Sequence, residues 1–447
     1  MSDHIPPLLL VGEIYVDVTL TPPGEENKLR LGGVAHAARG LWAAGRRFAV
    51  AAFVPEYLVR SAQDYLAKFG CERFVVLGLI DGAPNVILIF DPKEVDDQKY
   101  ETLLRDEKTV STNASVSASD FLGFSDALVF PGKFDLAAVC SLFPSSLKLH
   151  LDVAYDVDGV DEIAKLHQHI ETIFISTSSR LFDALGSSGF GGLVSSFSTL
   201  KPNVLVLKEN RGGCRIHHYS TDLIEEIPAQ LGETMNSVGV GDVFDAAYVA
   251  QLAAHGPVEA AWRAASASSA YAQTTEPDLL EAYVRRNAKL SLTQLKELGG
   301  TVLPWEERRK LDIYLAAPDF ADGDRRAVDR ALSALKYHNF SVRRPVIENG
   351  ELPAGSDDMT LTATYTKDVE LLKTCRMVFA IPTGRDPGTL VEIGLAIAYG
   401  IPVVVYDVDA ECNNTMVVAG SACYSPSLDA CLNATFECLS RARAASQ

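Results

Sequence analysis

Residues 8 to 300 alternate short strand-like runs with helical ones, and this alternation narrows the folds open to the chain more than any other feature. The order is "LLLVGEIYVDV", "GVAHAARGLWAAG", "RFAVAAF", "VRSAQDYLAKFG", then "ALVFPG", "KLHLDV", "TIFIST" and "NVLVLKE". A strand followed by a helix must cross back over its sheet and pair in parallel, and a parallel sheet is covered on both faces. The expectation is an α/β protein. "NVILIFD" (85–91) and "KYETLLRDE" (99–107) read as additional, hairpin-forming strands, and from about Pro257 the pattern is helical.

"GGTVLPWEERRK" (299–310) sets Gly, Pro and a charge cluster between a helical run and a new strand, which marks a domain boundary. The expected domains are 1–300 and 301–447. The second repeats the alternation on a smaller scale: "LDIYLAAP", a helix, the polar excursion "ENGELPAGSDD", a helix, "RMVFAIP", a helix and "PVVVYDV". This predicts a small doubly wound, flavodoxin- or Rossmann-like parallel sheet, with ligands at the carboxyl ends of its strands.

With 40 Lys and Arg against 58 Asp and Glu, the formal charge is -18, and no basic run offers a track for a phosphate backbone. Nucleic acid and anionic membrane are not the expected partners. The start "MSDHIPPLLLVGEIYVDV" lacks the basic region of a signal peptide, so a cytoplasmic location is expected. Eight scattered cysteines, without CxxC or a His/Cys ligand pattern, suggest reduced core thiols and no metal centre.

In "DPGTLVEIGLAIAYGIPVVVY" (386–406) a helix apolar nearly all round carries one carboxylate, Glu392. The plain explanation is a capping box, Thr389-Leu390-Val391-Glu392, with Thr389 as N-cap. "IYLAAPDF" (313–320), "YTKDVELLKTC" (365–375) and "DPGTLVEIGLAIAYG" together resemble, in order and spacing, the nucleoside 2-deoxyribosyltransferase family. The resemblance covers most of residues 311–420. It implies that Glu392 is the nucleophile on the anomeric carbon and that Tyr314 positions it. Asp368 and Asp386 would contact and protonate the departing base, and Asn414 would complete the site of a neighbouring subunit in a homo-oligomer. Cleavage of an N-glycosidic bond passes through an oxocarbenium-like state, which suits an ionised carboxylate on one face and an acid near the leaving group. A first-turn position would keep Glu392 ionised. Arg325 and Arg326 could hold a phosphate or simply open an exposed helix.

Residues 8 to about 295 resemble the ribokinase family of sugar and nucleoside kinases, on "VGEIYVD" (11–17), "LGGVAHAARGLWAAG" (31–45) and "NSVGVGDVFDAAYVAQL" (236–252). The resemblance implies that Gly239, Val240 and Gly241 present N–H groups to a phosphoryl group and that Asp242 takes the hydroxyl proton. Asp17, Gly32 and Gly33 would lie at the sugar end. Asn236 and Ser237 replace the usual Asp-Thr, Ala37 replaces a sugar-binding Asn, "STSSR" (176–180) lacks the N-x-x-E that organises magnesium, and "KENRGG" (208–213) departs from the nucleotide loop. ATP and magnesium would serve this domain, if it is a kinase; the glycosyl chemistry needs no cofactor. The leading expectation is cleavage or transfer at the N-glycosidic bond of a nucleoside or nucleotide. The alternatives are a small-molecule kinase with a nucleotide-binding second domain, and a non-catalytic nucleotide sensor.

Overall fold

A computed structural model describes residues 5–21, 24–186, 189–318, 325–353 and 355–446. Asp319 and Phe320, the end of "IYLAAPDF", lie outside them. The chain forms two compact units: residues 1–93, 99–230 and 234–300 make the first, and 94–98, 231–233 and 301–447 the second.

Among the described residues the first unit carries thirteen strands. They are β1 (Leu8–Thr19), β2 (Lys28–Gly33), β3 (Phe48–Val54), β4 (Cys71–Asp81), β5 (Val86–Ile89), β6 (Tyr100–Thr102), β7 (Thr109–Thr112), β8 (Asp126–Val129), β9 (Lys148–Asp152), β10 (Ile170–Ser176), β11 (Val204–Lys208), β12 (Cys214–His218) and β13 (Leu223–Ile227). The main order is β13-β12-β11-β10-β9-β8-β1-β3-β4-β7. The run from β11 to β4 is parallel, and antiparallel strands close both ends. β5 and β6 pair antiparallel, as their sequence suggests. β1 leaves the main sheet at its far end to pair with β2 and β5, which carries Asp17 away from the parallel core. The helix Val240–Gln273 is interrupted at Gly256 (φ 71), one residue before Pro257, where the missing proline N–H would break the ladder anyway.

The second unit is a five-stranded sheet, with β14 (Asp312–Ala316), β15 (Ser341–Arg343), β16 (Met377–Ala380), β17 (Val403–Tyr406) and β18 (Cys423–Ser425) in the order β15-β14-β16-β17-β18. Every pairing is parallel. Side chains alternate across it. Ile313 and Leu315 join Met377, Phe379, Leu432 and Phe436 on one face. Tyr314 and Ala316 join Val378, Ala380, Ile393 and Ala396 on the other. The chain departs from β14 in opposite directions to β15 and β16, so the crevice between β14 and β16 is the switch point where such sheets bind ligands.

The helix Pro387–Ala398 is less buried than its composition predicts. Thr389, Ile393 and Ala396 are its buried residues, whereas Val391 is 55% exposed, because the sheet covers only one side. Six of the eight cysteines are buried, and all eight are free thiols. Among the described residues no helix is long and apolar enough to cross a membrane.

Candidate functional site

In the second unit the cap of the Glu392 helix is Asp386, not Thr389. The Asp386 carboxylate accepts from the Thr389 backbone N–H at 2.7 Å and from its hydroxyl at 2.8 Å. Pro387 then takes the first helical position, where its missing N–H costs nothing. Thr389 therefore lies inside the first turn and Glu392 beyond it, so the predicted capping box does not form. This leaves the Glu392 carboxylate without a capping role.

It is held instead by the sheet. Tyr314 is fully buried at the centre of β14, on the face covered by this helix, and its hydroxyl donates to Glu392 Oε1 at 2.5 Å. Loss of water around Glu392 pushes its carboxyl up to about 7; the Tyr314 bond opposes this, and the charges of Asp368 and Asp386 add to it. The expected ionisation by the helix terminus is thus outweighed, because Glu392 lies past the free N–H groups and beside two other acids. Burial and the Glu392 charge drive the Tyr314 hydroxyl well above its ordinary value, so it stays a donor.

Asp368, on the helix Asp358–Thr374, lies near enough for its charge to act on both Tyr314 and Glu392. Its Oδ1 accepts from Asn349 Nδ2 at 2.7 Å. Asn414 caps the helix Thr415–Gly420, accepting from the Met416 N–H at 3.0 Å. Arg325 stands at the start of the helix Arg326–Tyr337 and pairs with Asp329 at 3.1 Å. Tyr314, Glu392, Asp368 and Asp386 thus share one electrostatic environment. Asn349 escaped the sequence reading, having only a polar excursion around it to mark it.

In the first unit the expected residues gather about the start of the helix Val240–Gln273. Asp17 is buried, and its Oδ2 accepts from His36 Nε2 at 2.9 Å and Arg30 Nε at 3.3 Å. Burial alone would raise the Asp17 carboxyl, but His36, Arg30 and Arg39 hold it below its ordinary value. Burial pushes His36 down to about 4, so the ring is neutral: Nε2–H donates to Asp17, and Nδ1 accepts from Arg39 at 2.7 Å and from the Tyr271 hydroxyl at 2.8 Å. Arg30 also donates to Asn236 Oδ1 at 3.0 Å and to the Val238 carbonyl at 2.8 Å.

Two glycines are explained by this packing. A Cβ on Gly32 would collide with the Asp17 carboxylate, and one on Gly239 (φ +81) would collide with the His36 ring. Gly33 stands at the N-cap of the helix Val34–Ala43. The roles of Arg30 and His36 went unread in the sequence; a histidine and an arginine three residues apart inside a helix otherwise apolar were the available signal.

Burial and the charge of Asp152 push Asp242 up to about 7, against the pull of Lys208. Lys208 closes β11 beside Gly241 and donates to Asp152 Oδ2 at 3.0 Å and Asp245 Oδ2 at 2.8 Å. Burial opposes its charge, but the two carboxylates raise its proton affinity well above the ordinary value. A kinase of the ribokinase kind would need ATP with magnesium here. Among the described residues no group of three or more His, Cys, Asp or Glu side chains is arranged to hold a metal ion, and Asp152 and Asp245 are turned onto an ammonium group. Lys208 thus occupies both of these acids.

These two units define a class: a kinase-like α/β fold followed by a parallel-sheet unit with a Tyr-Glu pair at its switch point. Residues 313–426 match the family model described as nucleoside 2-deoxyribosyltransferase. The first unit has a ribokinase-like fold. The ribokinase of Giardia lamblia aligns over 64% of this chain and 100% of its own, at 13% identity and a TM-score of 0.50. The ribokinase of Thermotoga maritima aligns over 63% and 100%, at 15% identity and a TM-score of 0.47. A fructokinase of Xylella fastidiosa, solved with bound ATP, aligns over 63% and 99%, at 10% identity and a TM-score of 0.49. None of the curated proteins compared matches the chain.

Proposed function

We propose that the second unit breaks, or transfers across, the N-glycosidic bond of a (deoxy)nucleoside or nucleotide, with Glu392 as the nucleophile. The observation that carries this reading is that Asp386 takes the helix cap, while Glu392 is desolvated and held by Tyr314 at 2.5 Å. A half-buried carboxylate with no structural partner beyond one hydroxyl, at the switch point of a parallel sheet, supports this reading.

Tyr314 engages Oε1, which leaves Oε2 to attack the anomeric carbon. As the new C–O bond forms, the C–N bond breaks and its electron pair goes to the base nitrogen, which takes a proton from Asp368 or Asp386. The resulting glycosyl ester on Glu392 is opened by a second base or by water, whose proton returns to the same Asp as the new bond to the anomeric carbon forms and the Glu392 carboxylate leaves. Asp386 Oδ2 is occupied by Thr389, so a proton on Asp386 would sit on Oδ1.

The purified chain, incubated with nucleosides, nucleotides and nicotinamide dinucleotide, should release free base detectable by chromatography. Release from none of them would end this reading. We further expect self-association, with Asn414 entering a neighbouring copy's site. Met359 and Tyr365 on the helix Asp358–Thr374, Val391, and Met416 on the Asn414-capped helix are exposed apolar side chains on this unit. A monomeric mass in solution would remove Asn414 from the site.

A kinase reading is favoured by one observation, the acid Asp242 poised near neutrality. Phosphoryl transfer depends chiefly on positioning and charge neutralisation, which Lys208 and its two carboxylates do not supply to a nucleotide. ATP-dependent phosphorylation is therefore expected to be weak or absent. Robust, Asp242-dependent ATP consumption with any sugar or nucleoside would overturn this.

A further inference from the structure

We infer that Asn349 is a positioning residue of the glycosyl site, fixing the carboxylate of Asp368 so that Oδ2 alone faces the chemistry. The inference rests on the reading of Asp368 as a contact to the departing base. Asn349 ends the short helix Pro345–Asn349, in the polar excursion between β15 and the Asp368 helix. That short helix has no fully buried residue, so no apolar core anchors it.

Polar contacts hold it instead. Arg343 of β15, registered beside Tyr314, donates from Nε to Glu348 Oε1 at 2.7 Å and from Nη1 to Asp312 Oδ2 at 3.2 Å. The Ser341 hydroxyl donates to Asp312 Oδ1 at 2.5 Å. A ladder thus runs from the start of β14 through Arg343 to Glu348 and sets the place of the next residue, Asn349. Its amide then donates to Asp368 Oδ1 at 2.7 Å.

An amide N–H aimed at Oδ1 has a chemical consequence. A proton on Oδ1 would face that N–H, so Oδ1 is confined to accepting. The proton Asp368 passes to a departing base must then sit on Oδ2. A fixed Asp368 charge also reaches its neighbours: the groups acting on Glu392 are Tyr314 from β14, Asp368 from the neighbouring helix and Asp386 at its own cap.

The test uses the full chain and three forms: natural, Asn349→Ala and Asn349→Asp. Two readouts are taken. One is kcat and KM for base release from 2′-deoxyadenosine, 2′-deoxyinosine and their 5′-monophosphates; the other is the Glu392 titration by carbon-13 carboxyl NMR, which needs no turnover. Asn349→Ala is expected to lower kcat about tenfold with little change in KM. It should also move the Glu392 midpoint down from about 7, as Asp368 is freed. Asn349→Asp, of nearly the same shape, should move the midpoint up, because an acid replaces the donor; it also gives the answer if the alanine form does not fold. An unmoved Glu392 titration in the folded variants overturns the inference, whatever the rates. A moved titration in a chain that releases no base keeps Asn349 as the group holding Asp368 and removes the glycosyl reading instead.

Discussion

Glu392→Gln is expected to lower base release by about a thousandfold or more, the scale on which removing a nucleophile or its partner acts. The fold should survive, and above neutral pH it should gain stability. Burial lifts the Glu392 carboxyl from 4.5 to about 7, so folding favours its protonated form. Its contribution is fully present below the ordinary carboxylate pKa and is lost as pH rises through about 7. Gln, which never ionises, avoids that loss, and the variant should be more stable than the natural chain at pH 8 by about 1 to 3 kcal/mol, with the difference vanishing toward pH 4. Thermal unfolding at the two pH values, beside a base-release assay, checks both parts. Normal turnover, or a variant that melts at every pH, would show that Glu392 serves the fold.

Tyr314→Phe attacks the same pair from the sheet. The hydroxyl bond is the one interaction that favours the Glu392 anion against desolvation and two neighbouring carboxylates. A hydrogen bond to a charged group contributes about 1.5 to 3 kcal/mol, so its loss should raise the Glu392 midpoint by about one to two units. Since the attacking form in the proposed reaction is the anion, the acid limb of kcat/KM should move alkaline by that amount. The rate at pH 6 should fall about 10- to 100-fold, and much of it should return at high pH. An unshifted limb with a uniformly lower rate would make Tyr314 a packing residue.

The α/β class, the hairpin strands and the small doubly wound unit were legible from alternation alone, because a buried parallel sheet demands continuous apolar runs and helices long enough to cross it. The helix cap was also legible in principle. Asp386-Pro387 is a cap followed by the residue favoured at the first helical position, and the reading of Thr389 as cap overlooked it. Arg30 is different. Its partners Asp17, Asn236 and Val238 lie 13, 206 and 208 residues away, and no local pattern announces such contacts. Asn349 and Asp368 are 19 residues apart, on two helices separated by the polar excursion, and no local pattern pairs them.

By itself, then, the order of residues determined which segments become strands and helices, which faces are apolar, and that Tyr314 and Glu392 belong to one unit. These follow from periodicity and turn chemistry, which act over a few residues. Tertiary structure alone decided that the Glu392 carboxylate is desolvated and crowded by two other acids, that Asp17 is paired with Arg30 and hydrogen-bonded by His36, and that Asp152 and Asp245 hold an ammonium group. The charge state of a side chain depends on the water it loses and the charges it meets, and both are set by residues the chain brings together only on folding.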